Sequence, residues 1–246
     1  MVGRSVNQSF VGAIVIPVLD EAGAVLPKGE SGFEHFLKEL QFIRQQGWKV
    51  ILVDGGSVDE TISLAEPWVD NILRSAPGRS KQMNLGWRSV ADSTVSVDVV
   101  VFLHADTYLP KDFSRLMQSF FSSHFRWGRF DVRLSGRHIA FRVIEWFMNG
   151  RSRLTQVATG DQTLFFKRDF LEQLEGFAEI ELMEDVEICK RARLLAEPLC
   201  LRQRVITSSR RWEKHGIVRT VWLMWCLRWA YYKGESPLSI RDRYYS

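Results

Sequence analysis

Four polar clusters at the ends of apolar runs carry the chemistry open to this chain. Val101-Phe102-Leu103-His104-Ala105-Asp106-Thr107 stops abruptly at a histidine and an acid two residues apart. Side chains alternate along an extended chain, so His104 and Asp106 leave such a strand on the same side, where an acid can hold a cation or meet a phosphate through one. Pro17-Val18-Leu19-Asp20-Glu21 and Val53-Asp54-Gly55-Gly56-Ser57-Val58-Asp59 likewise follow apolar runs. Gly55 and Gly56 permit a tight turn and close backbone approach, while Ser57 and Asp59 also suit helix caps, the reading preferred for Asp59. In Gly78-Arg79-Ser80-Lys81-Gln82-Met83-Asn84, Arg79 and Lys81 fall at an expected helix start. Free amides, a positive dipole end and a guanidinium together suit a diphosphate, although a solvated basic helix start has the same composition.

These clusters need a scaffold that delivers them to one edge. From about Gly12 to Asp106 short apolar runs alternate with helix-like segments, which predicts βαβ units and a mostly parallel sheet. The expected strands are Ala13–Val18, Lys49–Val53, Val69–Leu73 and Val99–Leu103. Between the first two, Phe33, Phe36, Leu37, Leu40 and Ile43 share one face of a helix over Phe33–Gln46, with Gly47 as its stop. Thr61–Pro67 and Lys81–Val90 supply further crossovers. In an open parallel sheet ligands bind outside the carboxyl ends of the strands, so the clusters after the first, second and fourth strands converge on one crevice.

Beyond Asp106 the alternation lapses into a mixed half: a helix at Phe113–Phe121, a strand at Gly128–Leu134, an apolar helix at Ile139–Met148, a short strand at Thr163–Phe166 and an acidic helix start at Glu184-Asp185. No repeat or Pro/Gly/Ser linker divides the halves, and one α/β domain over 1–246 is expected. About 12–107 is its nucleotide-binding-like half, about 108–216 its mixed half, and about 217–246 an aromatic helix and tail. The helix over Val218–Tyr232 is too short and too interrupted by Arg219 and Arg228 to span a bilayer; packing on the parent domain, a membrane surface and a dimer contact are its three readings.

Composition narrows the field. The chain has 246 residues, 46% hydrophobic and 25% charged, with 33 Lys+Arg against 29 Asp+Glu and a net charge of +4. That mild excess suits a phosphorylated substrate and is too weak to establish nucleic-acid binding, so no nucleic-acid partner is expected. Cys189, Cys200 and Cys226 are widely spaced, which argues against a disulfide framework or zinc knot. With a polar stretch from Met1 to Phe10 in place of a signal-peptide core, a cytoplasmic protein is expected, peripheral on the inner membrane face if the aromatic helix meets lipid. Neither GxGxxG nor a Walker A sequence occurs.

The ordered set of motifs resembles the family 2 glycosyltransferases of the GT-A fold. It runs through Val15-Ile16-Pro17 with Asp20-Glu21, Val53-Asp54-Gly55-Gly56-Ser57, Gly78-Arg79 with Gln82-Met83-Asn84, and Leu103-His104-Ala105-Asp106-Thr107. It continues through Trp127-Gly128-Arg129-Phe130, Gly160-Asp161-Gln162, Leu182-Met183-Glu184-Asp185 and Thr207-Ser208-Ser209-Arg210-Arg211-Trp212. Within that family the chain is similar to a small group associated with radical-SAM and selenium-domain genes or with arsenosugar biosynthesis.

The resemblance implies a nucleotide-diphosphate sugar lying across the strand ends, with a UDP-sugar as the expected donor. Pro17, Asp20, Glu21, Asp54, Gly55 and Ser57 would hold the nucleotide; Arg79, Asn84, His104, Asp106, Asp161, Arg211 and Trp212 the rest of the donor. Asp106 matches the acid that binds the diphosphate through Mg²⁺ or Mn²⁺, but His104 replaces the first acid of that motif, and His215 is the further expected ligand. Asp185 matches the general base of inverting members, beside Glu184. Residues adjacent on a helix differ in direction by roughly 100°, so the two acids cannot both face one acceptor hydroxyl. The expected reaction is inverting, metal-assisted sugar transfer to an acceptor the sequence does not name. The rivals are a noncatalytic nucleotide-sugar sensor, to which an acceptor base is of no use, and a sugar-1-phosphate nucleotidyltransferase, whose Gly-rich N-terminal loop Val15–Glu21 lacks.

Overall fold

The central strands of the first half are apolar on both faces because helices cover both. In the computed structural model, which describes residues 10–23, 32–91 and 97–245, β1 (Gly12–Val18) alternates between two cores. The polar stretch read at the N-terminus lies outside the described residues, apart from Phe10. Ile14, Ile16 and Val18 face α1 (Gly32–Glu39) through Phe33, Phe36 and Leu37; Ala13 and Val15 share the opposite core with Met83, Trp87 and Val90.

Along the chain there follow α2 (Gln41–Arg44), β2 (Lys49–Asp54), α3 (Thr61–Ala65), β3 (Asn71–Arg74), α4 (Arg79–Ala91), β4 (Val99–Phe102), β5 (Thr107–Tyr108) and α5 (Phe113–Phe121). The second half comprises β6 (Trp127–Leu134), α6 (Ile139–Thr155), a 3-10 turn at Gly160–Gln162, β7 (Leu164–Lys167), α7 (Arg168–Gln173), α8 (Glu184–Leu195), β8 (Leu199–Thr207), α9 (Arg210–His215), α10 (Ile217–Tyr232) and α11 (Pro237–Tyr245).

One eight-stranded sheet of order β3-β2-β1-β4-β7-β6-β8-β5 results. The run β3-β2-β1-β4 is parallel, as expected; β7 then pairs antiparallel with β4 and with β6, which makes the second half mixed. Strand order reverses beside β1, and the carboxyl ends of β1, β2 and β4 open on one crevice.

The sequence pattern does not predict β5, α7, α9 or α11, and α6 runs past the expected Met148 to Thr155. The helix read over Phe33–Gln46 is two, because Leu40 N–H turns back to Leu37 O, three residues behind, and ends α1. Its five apolar residues are nonetheless all buried. The nine-residue β8 escaped notice, since Arg202, Gln203 and Arg204 interrupt its apolar pattern. These residues sit at a bulge, where the register against β6 jumps between Phe130 and Asp131.

Candidate active site

Two loops interlock at the ends of β1 and β2. Asp20 sits in the left-handed region at φ 52°; its N–H donates to Ser57 Oγ (2.9 Å), and its Oδ1 accepts from Val58 N–H (2.8 Å). Buried Asp54 accepts from Ser57 N–H (2.9 Å), and Gly56, at φ +99°, supplies the turn that a side chain would strain. Asp59 accepts from Thr61 N–H, as a cap does, and its second oxygen takes Ala22 N–H. Beneath the loops the Gln82 amide donates to Val18 O and to Val53 O, both at 2.8 Å, pinning the two strand ends together. Sequence reasoning gave Gln82 no role; only the register of α4 over β1 and β2 reveals it.

At the end of β4, Asp106 Oδ1 lies within hydrogen-bond reach of the Thr107 hydroxyl (3.2 Å) and the Thr207 hydroxyl (3.5 Å). The antiparallel pairing of β5 with β8 therefore orients this carboxylate from two strands. His104 meets the 3-10 turn. Its Nδ1 stands 3.5 Å from Asp161 Oδ1, and its Nε2 packs so closely on Gly160 that a Cβ there would lie 2.4 Å away. Burial works against the Asp161 charge, but the hydrogen bond to His104 and the positive charges of His104, Arg79 and Arg228 outweigh it and lower its pKa.

The acids of α8 close the crevice. Met183 precedes the helix at φ 70°, and Glu184 is its first residue, only 4% exposed. Burial, then the charge of Asp185, raise the Glu184 pKa against the opposing charge of Arg79, whose Nη1 is 3.9 Å from its carboxylate. Asp185 accepts Gly160 N–H at Oδ2 and Val186 N–H at Oδ1, both at 2.7 Å, and each oxygen keeps a second lone pair. Arg79, His104, Gly160, Glu184 and Asp185 line one cavity.

Glu21 joins the two sides. Burial and the neighbouring Asp106 charge raise its pKa, opposed by Arg210, His104 and Arg79, so the ends of β1 and β4 and the starts of α4 and α9 lie within one electrostatic neighbourhood. Of the arginine pair that opens α9, the sequence pointed to Arg211, whereas Arg210 is the one acting on Glu21. Arg211 and Trp212 sit half-buried on that same short helix, and Pro17 half-buried near the end of β1.

Other expected residues have different duties. Asn84 is buried, its amide exchanging hydrogen bonds of 2.8 and 2.9 Å with the Phe177 backbone, so it anchors α4 to the loop before α8. Arg129 is buried in an ion cluster with Asp131, which also takes Arg153 Nη2 on both oxygens at 2.7 Å. His215 ends α9 in an exposed position. Among the described residues no group of three or more His, Cys, Asp and Glu could hold a metal by itself. The Glu21 and Asp106 carboxylates act on one another electrostatically, and two hard oxygen donors in one neighbourhood suit a divalent cation that takes its remaining ligands from phosphate oxygens and water.

Comparison with known proteins identifies a family and a fold for this chain. Residues 14–171 match the family described as Glycosyl transferase family 2. No curated protein matches. Among solved structures, residues 1–349 of TarS from S. aureus align over 82% of this chain and 61% of that one, with TM-score 0.57 and 16% identity. The mannosyltransferase PcManGT from Pyrobaculum calidifontis, in complex with GDP-Man and Mn²⁺, aligns over 82% and 57%, with TM-score 0.56 and 17% identity. Glucosyl-3-phosphoglycerate synthase from Mycobacterium tuberculosis, in complex with Mg²⁺ and UDP, aligns over 80% and 70%, with TM-score 0.55 and 16% identity. This chain thus spans less than two thirds of the first two structures, and the likeness establishes the fold.

Proposed function

Because the chain belongs to glycosyl transferase family 2, we propose that it moves a sugar from a nucleotide-diphosphate sugar to an acceptor hydroxyl with inversion at the anomeric carbon. The observation carrying this reading is the convergence of Glu21, Arg79, Asp106, Glu184 and Asp185 on one sheet edge. A diphosphate needs cations, a departing diphosphate needs them more, and an acceptor hydroxyl needs a base. All three are within one crevice.

The interlocked loops of Asp20, Asp54 and Ser57 form the floor for the nucleoside, with Pro17 and Gly55 alongside. Arg79, at the start of α4, meets the diphosphate together with the helix amides. Asp106 and Glu21 would hold Mg²⁺ or Mn²⁺ there, and such an ion supplies charge neutralisation to the leaving diphosphate. Asp161, held by His104, stands at the donor sugar, and Arg211 with Trp212 at the diphosphate side.

Asp185 then takes the acceptor proton as the acceptor oxygen bonds to the anomeric carbon. The bond from that carbon to the diphosphate breaks, and its electron pair leaves with the diphosphate. Glu184, buried and raised in pKa, stands beside Arg79 at a long contact of 3.9 Å. Two of the three neighbouring structures name a nucleotide, GDP-Man in one and UDP in the other, and uridine is the base proposed here.

Calorimetric titration with UDP and with GDP, each with Mn²⁺ and with EDTA, tests the donor. Micromolar, metal-dependent binding of one nucleotide that is lost in Asp106→Ala is the expected result. A folded protein that binds neither returns the chain to another role. A protein that binds UDP but transfers no sugar to any acceptor tested is the noncatalytic sensor.

A second reading concerns where the acceptor comes from. Trp222, Trp225 and Trp229 of α10 are 72%, 70% and 67% exposed, with Arg219 and Lys233 exposed on the same helix. Aromatic and cationic residues in this combination suit an anionic membrane surface, and no helix among the described residues is long and apolar enough to cross a membrane. Replacing the three tryptophans by serine should abolish co-sedimentation with vesicles containing phosphatidylglycerol. If the wild type ignores vesicles and light scattering finds a dimer that the replacements dissociate, α10 is a subunit interface instead.

A further inference from the structure

A second cavity lies behind the α8 acids and is built for an anion. Arg151 from α6, Met183 and Val186 from the start of α8, and Arg228, Tyr231 and Tyr232 from α10 line an open space of about 360 Å³. Two arginines line this one pocket. Arg151 donates through Nη1 to Val157 O (3.2 Å), while its Nε and Nη2 are buried without a hydrogen-bond partner. Those two nitrogens form one edge of the guanidinium, the fork that grips two oxygens of an oxyanion at once. Neither Arg151 nor Arg228 has a carboxylate at salt-bridge distance among the described residues.

The nearby acids are already engaged. Glu187 is paired with Arg191 Nε at 2.6 Å, and both oxygens of Asp185 accept backbone N–H groups. Lys190 adds a third cation, its Nζ lying 4.3 and 4.5 Å from the ring centres of Tyr231 and Tyr232. Burial, then the charge of Arg228, bring the Arg151 guanidinium down to about 10. An oxyanion between the two arginines would relieve both effects, and the two tyrosine hydroxyls offer further donors.

We propose that this pocket binds a phosphomonoester through Arg151 and Arg228, and that during sugar transfer it holds the phosphate of the acceptor. The acceptor assignment rests on the transferase reading; the phosphate site does not. Position favours an acceptor role. Met183 and Val186 line this cavity while Glu184 and Asp185 line the donor-side one, so the first turn of α8 is the partition between them. Asp185 acts electrostatically on Arg151, and Arg228 on Asp161, so each cavity lies within the field of the other.

The test is calorimetric titration of the full chain, with and without saturating UDP and Mg²⁺, using methyl phosphate as a soluble probe and phosphatidylcholine vesicles with or without phosphatidic acid as a lipid probe. Methyl phosphate should bind UDP-loaded protein and bind at least tenfold more weakly to Arg228→Met and to Arg151→Met. Arg228→Met alone decides the matter if loss of the Val157 contact unfolds the other variant. If methyl phosphate fails but phosphatidic acid vesicles bind in an Arg228-dependent way, the pocket stands and its phosphate is a lipid headgroup. Binding of either probe that ignores both substitutions, or no binding of either by folded wild type, overturns the pocket. Failure of UDP to bind, with Arg228-dependent phosphate binding intact, overturns the donor reading and leaves the pocket.

Discussion

Asp185 accepts the Gly160 amide proton at 2.7 Å, which ties the first turn of α8 to the 3-10 turn that packs on His104. The proposed base is thereby held from outside its own helix. Replacing it by asparagine keeps the shape and an acceptor oxygen for Gly160, but removes the basic carboxylate. General-base assistance is worth about 10² to 10⁴ in rate. Asp185→Asn should therefore lose transfer by about that factor while binding UDP normally, as initial rates and titration will show. Transfer at the wild-type rate would remove Asp185 from the mechanism.

Gly160→Ala should disturb the site through His104. The new methyl would sit 2.4 Å from Nε2 of an imidazole whose other nitrogen is held by Asp161. Overpacking of this kind costs about 1–3 kcal/mol. In a double-mutant cycle by chemical denaturation, His104→Ala should recover most of that loss, because the two residues share one contact. Additive losses would show that the strain lies elsewhere.

Glu184 makes the fold sensitive to rising pH. Its folded-state pKa lies above the ordinary 4.5, so the folded protein holds a proton that the unfolded chain has released. The stability linked to that proton is present below the unfolded value and is lost as pH rises through the folded one. Glu184→Gln removes the titration, and half-exposed Arg79 loses only a long, solvated contact. The variant should melt above the parent, with a gap that widens from pH 4 to 8 in scanning fluorimetry. A constant gap would assign the effect to packing alone.

Thiol labelling of the native protein should leave one cysteine untouched. Burial pushes the Cys189 thiol far up, whereas Cys200 and Cys226 are only half-buried. Mass spectrometry after brief treatment with iodoacetamide should find Cys189 unmodified until denaturant is added.

The sequence carried those parts of the fold that obey a period. Strands buried on both faces read as unbroken apolar runs, and Phe113–Phe121 was recovered with its observed bounds because its apolar spacing is regular. The break at Leu40 left no mark, since all five apolar residues remain buried on either side of it. β8 was hidden because a bulge puts three polar residues inside the strand. At the site, acids that end strands were legible from position alone. The duties of Asn84 and Gln82 were not, because a buried amide meets its carbonyl partners only through the register of α4. Nor could spacing bring Arg151 and Arg228, 77 positions apart in the chain, to one pocket.

One turn of α8 separates the two cavities, with Glu184 and Asp185 turned to one side and Met183 and Val186 to the other. Whatever shifts that turn to suit a nucleotide sugar also reshapes the far chamber, and the reverse holds. Thermodynamic reciprocity then requires each ligand to alter the other's affinity by the same factor. The shared wall thus sets a rule for binding at equilibrium: the acceptor's dissociation constant and the donor's must change together, in one ratio, whichever is bound first.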